Sequence, residues 1–169
     1  VLACTTHLFL HELGHQLVAD EVGAEATQMD FFKFKNGNFY PGLSTYKSMP
    51  SESKLPYAAA GERMAGFTFE YAFESYRNTP TAFNKALLFF SGADFLLYTV
   101  LGNYVFPDNK MYDPNIIREE SGCSKEALLG IVLAKSLINT YRVVNKEVNF
   151  IPQLNMNRSS ASLSIRINF

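Results

Sequence analysis

The chain has 169 residues, 47% of them hydrophobic and only 18% charged, with a net charge of -1. That is long enough for one domain with its own core, and a near-neutral balance with no basic stripe argues against nucleic acid as a partner. Phe (15) and Tyr (9) are abundant and Trp is absent, a composition expected of a protein that buries much of its surface or touches lipid.

Residues 1 to about 20 read as an apolar helix, and Gly23 is a plausible stop. The pattern is already apolar at Val1, which suggests sequence upstream. Val1-Leu2-Ala3-Cys4 has the shape of a bacterial lipoprotein cleavage box, but no charged segment precedes it. Within the helix stands His11-Glu12-Leu13-Gly14-His15. Positions i and i+4 share one helix face, so two imidazoles can hold one zinc ion, with Glu12 one residue round the helix and in reach of a water on that zinc. The chain has only three histidines, all within residues 7 to 15. An unpaired carboxylate in so apolar a run is costly, which favours a metal site over coincidence. His7 shares the face of His11 and is expected to support the ligands rather than to join them.

Ala26 to Tyr46 changes character. Partial alternation from Met29 to Lys35, an Asn36-Gly37 turn and Asn38-Phe39-Tyr40 predict a β-hairpin. After a polar loop, Pro56 opens a second helix from Tyr57 to about Tyr76, and its Ala58-Ala59-Ala60-Gly61 run permits close helix approach. A third helix follows from about Thr81 to Tyr104, in which 86–106 carries Asp94 as its only charge. Pro107-Asp108-Asn109 and Asp113-Pro114 mark a loop. Ser124 caps a fourth helix running to Val144. The tail ends in a period-two pattern from Ser162 to Phe169, a strand expected to pack on the hairpin near 29–40. Cys4 and Cys123 have no CxxC partner, and free thiols are expected.

A catalytic zinc takes three protein ligands and keeps one position open. No histidine lies beyond His15, so the third ligand should be a carboxylate. Asp94 is the first candidate, because a lone acid in the middle of an apolar helix is expensive unless it has a function. Glu70 and Glu74, one turn apart on the second helix, are the alternative, a soluble gluzincin-type layout, although Glu62, Arg63 and Arg77 on the same helix favour an ordinary solvated or ion-paired face for them; Glu62 is a weaker option.

The sequence from His11 to Ala19, the Ala58–Gly61 segment and a later helix with a central Asp together resemble the site-2 protease family of intramembrane zinc metallopeptidases, over about residues 3–105. The resemblance implies Asp94 as third ligand and proteolysis at or near a membrane, with Glu12 as general base.

The expectation is therefore a mainly α protein with a small β element (α+β): about four helices around a zinc site, a β-hairpin after the first helix and a C-terminal strand. It forms a single metallopeptidase domain, with 1–106 as the zinc-site core, 107–148 as loop and fourth helix, and 149–169 as a β segment. One Zn2+ is held by His11, His15 and Asp94. The substrate is a peptide or a membrane protein, met along the hairpin at Phe39 and Tyr40 by strand addition. Lipid contact and a membrane location are expected, the alternative being a periplasmic or secreted soluble peptidase. A different class of reading is a membrane-associated protein that keeps the motif without activity; the intact Glu12 argues against it.

Overall fold

The computed structural model describes residues 1–35 and 37–167. Its described elements are α1 (Leu2–Glu21), β1 (Gln28–Lys35), β2 (Asn38–Thr45), α2 (Lys54–Asn78), α3 (Ala82–Val100), α4 (Asp113–Ser121), α5 (Lys125–Val144), β3 (Phe150–Asn157) and β4 (Ser160–Ile167). The fold is mainly α with a small β element, as expected.

The helix signals act as their chemistry dictates. Gly23 takes φ +67 just after α1, a conformation that costs glycine little. The Thr81 side chain accepts from the Asn84 N–H at the start of α3, and Ser124 accepts from the Ala127 N–H at the start of α5. α2 begins two residues before Pro56, which sits in the first turn, where its missing N–H costs nothing. α3 continues into a π-helical turn, Leu101–Val105.

Two expectations are corrected. The stretch read as a loop around Asp113-Pro114 contains a fifth helix, α4, with Pro114 in its first turn and Gly122 ending it in the left-handed conformation (φ 66). The terminal strand does not pack on the first hairpin: β4 pairs antiparallel with β3, in a second two-stranded sheet separate from β1–β2. An adjacent partner needs only a short turn, whereas the first hairpin lies over a hundred residues back in the sequence, so local pairing closes the smaller loop. Of the Asn36-Gly37 turn only Gly37 is described, at φ +78; Asn36 lies outside the described residues, as do Asn168 and Phe169 of the terminal strand.

α1 and α2 pack closely because their contact residues are small. A Cβ on Gly14 would meet the Ala60 carbonyl oxygen at 2.6 Å. One apolar cluster joins Ala3 of α1, Phe69 and Phe73 of α2 and Leu87 and Leu88 of α3. A second joins Ala58, Phe95, Ile117, Leu128 and Val132 from four helices, and Leu154 and Met156 of β3 pack against it. Cys4 and Cys123 are free thiols.

Two charges of α5, Lys135 and Arg142, face inward, while Lys125 and Glu126 at its start are exposed. Lys135 is salt-bridged to the buried Glu62 of α2, and Arg142 donates from both terminal nitrogens to the two carboxylate oxygens of Glu70, each at 2.6 Å. Its outward face carries Leu133, Leu137, Tyr141 and Val144, while α3 and its π turn expose Phe89, Leu97, Val100, Leu101 and Tyr104. Two segments, Ala82–Val105 and Lys125–Val144, are long and apolar enough to cross a membrane.

Candidate metal centre

Spacing by four places His7, His11 and His15 on one face of α1, and that face is turned inward: all three are buried, as is Glu12. Three other elements close round them. α2 presents Gly61, α3 presents Asp94, and the first residue of α4 presents Asp113.

The two motif histidines aim the same ring nitrogen at one point. Their Nε2 atoms are 3.3 Å apart. Asp113 Oδ2 completes the group, 3.2 Å from His15 Nε2 and 3.5 Å from His11 Nε2. Gly61 forms the floor: a Cβ there would sit 2.5 Å from His15 Nε2 and press equally on His11 Nε2. Two imidazole nitrogens and a carboxylate oxygen, mutually within 4.8 Å and crowded around a position that only a glycine leaves open, can hold a metal ion.

The other ring edges are also occupied. His15 Nδ1 lies 2.8 Å from the Tyr57 carbonyl oxygen. Asp94 stands at the Nδ1 edge of His11, with Oδ2 3.0 Å away, and its Oδ1 is 3.4 Å from His7 Nε2. His7, His11 and Asp94 thus make a second His/Asp group on the far edge of the shared ring.

Glu12 projects toward β2. A Cβ on Gly42 would come within 2.5 Å of Glu12 Oε1, so the glycine makes room for the carboxylate. The Ser44 hydroxyl donates to the Glu12 carbonyl, 3.3 Å, tying strand to helix. Burial pushes the Glu12 carboxyl above its ordinary value, against the opposing pull of His11 and His15. For Asp113 burial acts in the same direction, but the charge of His15 and hydrogen bonds from both imidazoles outweigh it and hold the carboxyl below its usual range.

A cavity of about 670 Å³ between α1, β2 and α3 is lined by His7, His11, Glu12 and Asp94, so that it meets the centre at His11 and Glu12 while His15 and Asp113 lie behind them. Phe34, Phe39, Phe89 and Phe90 line its apolar walls. Of the two residues expected to meet substrate, Phe39 faces this cavity. Tyr40 also borders it, but is buried in a cluster with Leu43 and Tyr112, its hydroxyl accepting from Asn109 Nδ2 at 2.9 Å.

The alternative ligands are placed elsewhere. Glu70 is clamped by Arg142, Glu62 pairs with Lys135, and Glu74 is an exposed residue beside Arg77 and Asn78. None belongs to either His/Asp group among the described residues.

Asp113 was not singled out from sequence, because it stands in a Pro/Asn/Asp-rich stretch that reads as a loop. The available signal was the Asp113-Pro114 pair, an acid and a proline at a helix start. Its position is fixed by contacts that no local pattern announces. Asn115 Nδ2 donates to the carbonyls of Phe106 (3.0 Å) and Asn109 (2.9 Å), and Tyr112 stacks on Phe106 at 5.5 Å.

No protein-family model, curated protein or solved structure matches this chain.

Proposed function

We propose that this chain is a zinc-dependent endopeptidase of the site-2 protease kind, working at a membrane, with His11, His15 and Asp113 as the metal ligands and Glu12 as the general base. The observation that carries the reading is the convergence of His11 Nε2, His15 Nε2 and the Asp113 carboxylate over Gly61, with His11 and the motif glutamate lining an apolar cavity. Two imidazoles and one carboxylate match the donor set of catalytic zinc sites, which leave the fourth position to water or substrate.

When bound, zinc supplies Lewis-acid polarisation of a peptide carbonyl and of water. The chain's own groups do the rest. Glu12 accepts the proton of the attacking water and returns it to the departing amine. The buried carboxylate suits that work, since burial makes it more basic than an exposed glutamate. The phenylalanine walls of the cavity seat apolar side chains of the substrate and keep bulk water from the reacting bond.

Elemental analysis of the purified chain tests the metal assignment. The parent should carry one zinc per chain, and Asp113→Ala should carry almost none under the same conditions. A metal-free parent, or an Asp113→Ala variant with full zinc, overturns it.

The membrane part of the reading rests on α3 and α5. A hydrocarbon core about 30 Å thick needs roughly 20 apolar residues in a helix, and both segments meet that length. Charges inside such helices are tolerated when they turn inward and pair, as Lys135 and Arg142 do with Glu62 and Glu70. The chain is expected to sediment with membranes and to stay there after an alkaline carbonate wash. Release into the supernatant would show that α3 and α5 are ordinary core-forming helices.

A further inference from the structure

Asp94 lies on the wrong edge of His11 to share a metal with His15. The shared point of the two motif histidines is on their Nε2 side, where Asp113 is, whereas Asp94 Oδ2 is 3.0 Å from His11 Nδ1. A neutral imidazole carries its proton on one nitrogen and a lone pair on the other. An acceptor at Nδ1 therefore decides which nitrogen is free to bind metal. His15 has such an acceptor in the Tyr57 carbonyl, 2.8 Å from Nδ1. His11 has the Asp94 carboxylate on that same edge, with Oδ2 3.0 Å from Nδ1, close enough to accept its proton once the ring turns into line.

Resting on the metallopeptidase reading above, we propose that Asp94 is a positioning residue. It takes the Nδ1–H of His11, fixes the tautomer that presents the Nε2 lone pair to the zinc, and is itself steadied through its other oxygen by His7. The arrangement gives all three histidines of α1 a role: two hold the metal and the third holds the acid that orients one of them. It also accounts for a lone carboxylate in the middle of α3, where an acid without a function would be selected against. A carboxylate partner does more than a carbonyl, because its charge makes the ligand nitrogen a better donor to the metal. The asymmetry between the two ligands follows: His11 is the charge-assisted one, His15 the neutral one.

The test measures two things on the full chain, zinc affinity by chelator competition and, in the metal-free protein at a pH high enough to leave the ring neutral, the tautomer of His11 by NMR of ¹⁵N-labelled histidine. Asp94→Leu keeps α3 apolar and removes the acceptor, while Asp94→Asn keeps an acceptor and removes the charge. Asp94→Leu should still take one zinc per chain, bound about 10–100-fold more weakly, and its His11 should lose the Nδ1–H form that dominates in the parent. Asp94→Asn should fall between the two and serves if the leucine variant does not fold. Parent-like affinity and tautomer in both variants would overturn the proposal. So would complete loss of zinc in Asp94→Leu with retention in Asp113→Ala, which would make Asp94 itself the ligand. Two metals in the parent and one in Asp94→Leu would also overturn it, by showing that His7, His11 and Asp94 form a metal site of their own. A parent without zinc would defeat the metallopeptidase reading instead, and the tautomer measurement would still decide the role of Asp94.

Discussion

Glu12→Gln is expected to keep one zinc per chain while lowering kcat for peptide hydrolysis by about 10²–10⁴-fold, the usual worth of a positioned general base. The substitution suits the question because glutamine has the same shape. Glu12 is buried, and its carboxylate fits a space that exists only because position 42 is glycine. An amide fills that space equally well but cannot take a proton from water. KM should change little, since the side chain is assigned to the proton transfer and not to holding the substrate. Hydrolysis of a quenched apolar peptide, measured beside zinc content, separates the outcomes. A variant with activity within tenfold of the parent would remove Glu12 from the mechanism, and one that has lost its zinc would mean the residue supports the metal instead.

The other large effect is expected from one methyl group. Gly61→Ala should weaken zinc binding by more than about 100-fold, beyond what losing a hydrogen-bonding partner of a ligand costs. The added carbon would lie at the point where the two Nε2 atoms converge, 2.5 Å from that of His15 and 2.7 Å from Cε1 of His11. Neither ring can swing away freely, because each is held at its other edge, by Asp94 and by the Tyr57 carbonyl. The helix itself should gain, since alanine is favoured over glycine in a helix interior by about 1 kcal/mol. A lost metal site with intact helix content therefore reports on the space above Gly61 and not on folding. Gly66→Ala on the same helix is the control: the nearest atom to its new Cβ is Lys135 Nζ at 3.8 Å, ordinary contact. Gly61→Ala with parental zinc affinity would show that the metal does not sit between these histidines.

Both predictions concern residues whose types were visible in the sequence and whose surroundings were not. His11, Glu12 and His15 were legible because helix periodicity alone puts them on one face and one turn apart. Gly61 was legible as part of a small-residue run suited to close packing, though not as the floor of a metal centre. Asp94 was conspicuous as an isolated charge, yet isolation in sequence cannot say which edge of an imidazole a carboxylate meets. The charges on α2 favoured an ion-paired face for Glu70 over a ligand role, but its partner Arg142 lies on α5, far along the chain, and nothing near Glu70 in sequence announces it.

The amino-acid order alone determined the helices with strong caps, the hairpin after α1 and the helix face that carries the histidines, because each depends on interactions within a few residues. The tertiary structure decided which acid meets which nitrogen, which glutamates are absorbed into ion pairs with α5, and which strand pairs with β4. Those outcomes depend on contacts between segments tens of residues apart, where the packing of small residues such as Gly14 against Ala60 sets distances that no local pattern encodes.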